Sequence, residues 1–166
     1  MPPAVLKGDP GPREGMVKTP TIEQTFYYAV APERVYAAFT EPSELTRWFA
    51  DQAKVAAKKG GAYRLTWSTG YTMRGKVKRA EPEKELVVTW VDRFEGGRVF
   101  ETEARFAFAK RGRGTQLKVT HRGFKSGKRW IALYGAIQSG WAYYLTNLRS
   151  VVEHGIDLRS DRDALG

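Results

Sequence analysis

Cysteine is absent from this chain of 166 residues. That excludes disulfides, thiol nucleophiles and Cys-ligated zinc or iron–sulfur centres. Histidine is scarce, with His121 and His154 far apart in the sequence. No acidic cluster has ligand spacing, so no metal site is expected. No apolar run approaches the roughly 18 residues that a membrane-spanning helix needs. The opening "MPPAVLKGDPGPREGMVKTP" lacks the apolar stretch of a secretory signal, and a cytoplasmic location is the simplest expectation. A phosphate-cradling glycine loop, a nucleophile elbow and a dinucleotide fingerprint are missing as well. The expected cofactor is therefore none.

Acidic residues are missing from one long stretch. From Ala104 to Val152 there is none, while Arg105, Lys110, Arg111, Arg113, Lys118, Arg122, Lys125, Lys128, Arg129 and Arg149 are basic. That segment equals the whole excess behind the net charge of +10. Gathered on one surface, such charge attracts anionic partners. Spread over strand faces and hairpin tips, it only keeps the protein in solution, and this second arrangement is expected, with nucleic acid disfavoured as a partner. The "RGRG" at 111–114 reads as a hairpin turn before it reads as an RNA-binding repeat.

What is present belongs to a globular domain: 42% of residues are apolar and 13% aromatic, well above the level of disordered chains. One domain fits this length better than two. Residues 1–20, rich in proline and glycine, read as a flexible tail. Residues 21–157 form the domain, and 158–166 a short C-terminal tail. "TIEQTFYYAV" alternates as a strand, with Ile22, Phe26, Tyr28 and Val30 on one side. In "APERVYAAFTEPSELTRWFA", Pro32 suits a first helical turn. Pro42 ends that helix and starts a second, which runs to about Trp48.

Five further segments read as strands. Their inward residues are Tyr63, Leu65 and Trp67; Tyr71, Met73 and Val77; Phe100, Thr102, Ala104, Phe106 and Phe108; and Leu117, Val119 and His121. "KELVVTWVD" is apolar on both faces, which leaves the facing of Trp90 open. The connections are short and turn-like, so the strands pair antiparallel. The last element, from about Lys128 to Glu153, is a long amphipathic helix. Trp130, Leu133, Tyr134, Ile137, Trp141, Tyr144, Leu145, Leu148, Val151 and Val152 share an arc of roughly 120°. Gly155 supplies its C-cap. A sheet with one apolar face and a helix with one apolar stripe bury each other.

The opening strand with its two short helices, "EPEKELVVTW", "GTQLKVTHRGF" and the closing "GWAYYLTNLRSVVEHG" together resemble the START-like (SRPBCC) helix-grip superfamily. The similarity is greatest to its bacterial branch named after the activator of heat-shock-protein ATPase homologues, over about Thr21 to Asp157. The resemblance implies an α+β helix-grip fold. In it, a curved antiparallel sheet of about six to seven strands wraps a long C-terminal helix, with two short helices after the first strand. It also implies a cavity between sheet and helix that often holds apolar ligands. It carries no shared catalytic set, because the superfamily includes lipid and hormone binders, polyketide cyclases, oxygenase domains and co-chaperones, and fold does not fix function.

On this reading the cavity is lined by Trp67, Met73, Trp90, Phe106, Trp141 and Tyr144. Tyr71, His121 and Tyr134 are its polar groups. Mostly apolar walls with a few hydrogen-bonding tips are typical of small-molecule sites. The expected partner is a small apolar or amphipathic molecule, held without covalent chemistry. If a cyclase or hydrolase reaction occurs there, His121 or an inward tyrosine is the group to move a proton. A co-chaperone role is implied by the family name alone. A homodimer through the sheet edge or the helix is compatible with the sequence.

Overall fold

The computed structural model describes residues 20–94 and 96–159; most of both tails read from the sequence, 1–19 and 160–166, lies outside the described residues. Strand β1 (Ile22–Tyr28) leads to helices α1 (Pro32–Thr40) and α2 (Pro42–Trp48). Six strands follow: β2 (Gln52–Val55), β3 (Ala62–Thr66), β4 (Thr72–Glu81), β5 (Glu85–Arg93), β6 (Val99–Arg111) and β7 (Gly114–Arg122). Helix α3 (Lys128–His154) closes the domain. All seven strands form one antiparallel sheet in the order β1-β7-β6-β5-β4-β3-β2. This is the α+β helix-grip fold, an open curved sheet holding the C-terminal helix.

The elements follow from local chemistry. Pro32 and Pro42 sit in the first turns of α1 and α2, where a missing N–H is no loss. Glu41 ends one helix and begins the next: its N–H donates to Ala37 O (2.9 Å) and its carbonyl accepts from Leu45 N (2.9 Å). The last carbonyls of α1 are buried but paired, with Trp48 Nε1 donating to Ala38 O (2.8 Å) and Tyr63 Oη to Phe39 O (2.9 Å). In β4 the register shifts between Val77 and Arg79, a bulge that increases local twist. Gly75 permits the close crossing of β4 and β5, since a Cβ there would lie 1.9 Å from Thr89 O. At the end of α3, Gly155 takes the left-handed conformation (φ 71°) and donates to Val151 O (2.9 Å).

The core lies between the concave face of the sheet and the helices. Leu65, Met73, Leu86, Val88, Phe106, Leu117 and Val119 from the sheet meet Val35, Phe39, Leu45 and Trp48 from α1 and α2, and Leu145 and Leu148 from α3. Helix α3 also reaches across to the outermost strand. Arg149 donates to Tyr27 O (2.8 Å) and Glu153 accepts from Ala29 N (2.7 Å). Tyr28 Oη bonds Leu145 O (3.0 Å) from inside. The burial of α3 is uneven: no residue before Trp141 is buried, whereas Trp141, Leu145, Asn147, Leu148 and Val151 all are.

Among the described residues, no helix is long and apolar enough to cross a membrane.

Candidate functional site

Where the first half of α3 stands off from the sheet, a cleft of about 630 Å³ opens. Its floor is built by Phe49, Trp90 and Trp141. Helix α2 ends at Trp48, so the next residue, Phe49, is delivered to the centre of the molecule. The Phe49 ring lies 5.3 Å from that of Trp67, 5.5 Å from Trp141 and 4.9 Å from Tyr144. Trp90 meets Trp141 edge-on at 5.3 Å. Edge and tilted contacts of this kind favour a defined arrangement of rings over a fluid one.

One wall is the β3–β4 turn. Trp67 is fixed at both ends, its N–H accepted by Tyr71 O (2.8 Å) and its indole Nε1 donating to Phe49 O (2.7 Å). Asp51 holds the same turn by accepting from Ser68 N (2.6 Å). Tyr71, 40% exposed, stands at the rim and donates to Asp92. Burial of its hydroxyl, reinforced by that bond to Asp92, raises the Tyr71 pKa well above the usual phenol value. The Tyr71 hydroxyl therefore stays protonated at neutral pH. The opposite wall is Leu133, Ala136, Ile137, Gly140, Tyr143 and Tyr144 of α3.

One end of the cleft is closed by the segment after α3. Asn147, fully buried, donates to Trp48 O (2.9 Å) and Asp157 Oδ1 (2.9 Å), and accepts from Leu158 N (2.7 Å). Arg159 pairs with Asp157 (3.0 Å) and reaches Thr46 O (2.9 Å) and Ala50 O (3.3 Å). Leu158 and Arg159, which the sequence places in the C-terminal tail, are thus held against the domain, Leu158 by Asn147 of α3 and Arg159 by Thr46 O of α2.

Of the nine residues read from the sequence as ligand-binding, five line this cleft: Trp67, Tyr71, Trp90, Trp141 and Tyr144. The facing of Trp90, left open by its pattern, is inward, in register with Thr102 on β6. Met73 and Phe106 lie deeper, fully buried in the core, with Phe106 touching Trp141 from below (5.4 Å). Tyr134 turns toward another cluster and packs edge-on against Phe124 (5.3 Å).

His121 is also off the cleft wall, behind Trp90 and Trp141, with no exposure. Trp141 Nε1, which can only donate, gives its proton to His121 Nδ1 (3.0 Å). The ring proton therefore sits on Nε2 and is donated to Thr102 Oγ1 (2.7 Å), whose own hydroxyl points to Trp90 O (3.4 Å). Burial pushes the His121 pKa down to about 3, so the ring is neutral. Both nitrogens are engaged in holding the floor of the cleft in place. Phe49, Asp51, Asp92, Asp157 and Arg159 are cleft residues that the sequence reading did not single out. Only Phe49 left a trace, as the ring just after Trp48, where the second short helix is expected to end.

The profile of the family described as Activator of Hsp90 ATPase homolog 1-like protein matches residues 29–153. Among solved structures, the fold is similar to protein MLL2253 from Mesorhizobium loti (TM-score 0.72, 20% identity, covering 81% of this chain and 97% of that one). It is similar to the Aha1 dimer from Colwellia psychrerythraea (TM-score 0.69, 21% identity, 82% and 98% covered). It is also similar to CalU16 from Micromonospora echinospora (TM-score 0.67, 25% identity, 86% and 80% covered). No curated protein matches the chain.

Proposed function

We propose, from the premise that the chain belongs to the activator of Hsp90 ATPase homologue 1-like family, that it is a binding protein. It takes a small apolar or amphipathic molecule into the cleft under the first half of α3, without covalent chemistry. The observation that carries this reading is the cleft itself: about 630 Å³, floored by packed rings and edged by a few polar groups. Small-molecule sites commonly have that size and that mixture. Binding is favoured over catalysis by His121, whose two ring nitrogens are both occupied in supporting Trp141 and Thr102. A nucleic-acid role is disfavoured because the basic residues gathered on the outer sheet face, Lys78, Arg79, Arg105 and Arg122, are paired with Glu85 and Glu103 in one groove, and others are set apart from it. Arg105 and Arg122 pair with Glu85 and Glu103 on strand faces, Arg111 packs over Tyr27 at a hairpin, and Lys125 lies over Trp130 at the far end of α3.

The test uses the neutral dye phenylnaphthylamine. It should bind one-to-one with a rise in its emission and a change in tryptophan fluorescence. Gly140 lines the cleft and has nothing within 4 Å of a Cβ placed there, so Gly140→Leu starts its side chain in open space and directs bulk into the cleft. That variant should keep its circular dichroism spectrum and weaken the dye by about tenfold, the loss expected from removing one apolar subsite. No dye binding, or equal binding by Gly140→Leu, would sink the reading.

A further inference from the structure

The cleft has a charge opposite to that of the protein around it. The chain carries +10, yet the charged residues lining the cleft are Asp51, Asp92, Asp157 and Arg159. Arg159 is committed to Asp157 and to two backbone carbonyls. Among the described residues, no lysine and no second arginine lines the cavity. Arg74 and Arg93 line an adjoining groove that shares Tyr71 and Asp92 with the cleft but do not line the cleft itself, and the Arg93 guanidinium donates to Gly97 O (3.1 Å). Asp51 and Asp92 therefore leave a net negative field over a floor of indole rings. A carboxylate attracts a cation directly, and an indole face attracts it through its quadrupole, most strongly where water is excluded. An apolar wall beside both gives the rest of such a ligand somewhere to lie.

Building on the binding reading above, we propose that the ligand is an organic cation: a protonated amine or quaternary ammonium carrying an aryl or alkyl body. Its charged head lies between the Asp92–Tyr71 rim and Asp51. Its body lies on Trp90 and Trp141, under Ile137. An anionic ligand of the same shape meets two carboxylates on the cleft wall, and is rejected.

Three probes that share one body separate the classes: phenylbutylamine, phenylbutanol and phenylbutyrate, titrated at neutral pH by tryptophan fluorescence and calorimetry. The amine should bind about tenfold more tightly than the alcohol, and the butyrate more weakly than either. The amine affinity should fall along a salt series while that of the alcohol stays level. In the double variant Asp51→Asn with Asp92→Asn, the amine should lose its advantage and the alcohol keep its affinity, with circular dichroism confirming the fold. Equal or better binding of the alcohol or the butyrate to the wild-type protein overturns the charge assignment and leaves cleft binding intact. So does an amine preference that survives the double variant. Binding of phenylnaphthylamine but of none of the three probes also overturns the assignment, whereas loss of dye binding as well removes the cleft reading with it.

Discussion

The two halves of α3 carry one continuous apolar stripe and end up in different surroundings. After Trp141 the stripe is buried: Leu145 and Leu148 are inaccessible, and Asn147 and Tyr28 tie this half to α2 and β1. Before Trp141 the same stripe is only half covered. Leu133 and Ile137, only half-buried, overhang the cleft. Helical periodicity reports which side faces the sheet, but the elements lying opposite decide how deeply that side is sunk. The half-covered stretch is where the protein has room for something else.

Truncation should separate the halves most sharply. Leu148→Ala should lower the unfolding free energy by about 2–5 kcal/mol, the range for a large-to-small change in a closed core. Leu133→Ala, on the half-covered stretch, should cost only about 1 kcal/mol, the centre of the range for point changes. Urea denaturation compares the two, and equal losses would break the distinction.

The seam at Trp141 should show a pH signature. Since His121 is held near 3 when folded and titrates near 6.5 when unfolded, the unfolded chain takes up a proton that the native one refuses. Stability is therefore complete above pH 6.5 and declines as pH falls toward 3. Between pH 7 and about pH 5 the decline should be about 2 kcal/mol. In His121→Gln, whose amide can still accept from Trp141 and donate to Thr102, stability across that interval should be flat. A slope unchanged by the substitution would mean that another group is titrating.

The smallest effect belongs to the overhanging half. Gly135 has nothing within 4 Å of a Cβ position, so Gly135→Ala should raise stability by about 0.5–1 kcal/mol through helix propensity alone. A loss of stability would show that this stretch is packed more tightly than its exposure indicates.

Much of the fold was legible because strand alternation and helical period are local properties. The inward faces of β4, β6 and β7, the breaks at Pro42 and Gly155, and the extent of α3 all follow from them. Strand β2 did not stand out: "QAKV" is four half-exposed residues long, too short for a pattern. The bulge in β4 left no mark either, since nothing in "VKR" departs from alternation. The cleft was legible only in part. Trp67, Trp141 and Tyr144 face inward by pattern, whereas the two apolar faces of its strand hid the facing of Trp90; depth separates all four from Met73 and Phe106, and pattern contains no depth. Tyr134 shares the arc of α3 yet serves Phe124. Asp51, Asp92 and Asp157 converge from three distant parts of the chain, and only the folded path brings them together.

An open sheet exposes two lateral rows of peptide groups, and a bare row recruits strands from other molecules. Here Arg149 and Glu153 occupy the outer carbonyl and amide at the end of the first strand, while the opposite border is only Gln52–Val55 long. Ladder extension between copies is capped at one end of the first margin and limited to four residues on the other. A variant lacking Arg149 and Glu153 lengthens the bare margin and becomes the one to watch for fibre formation.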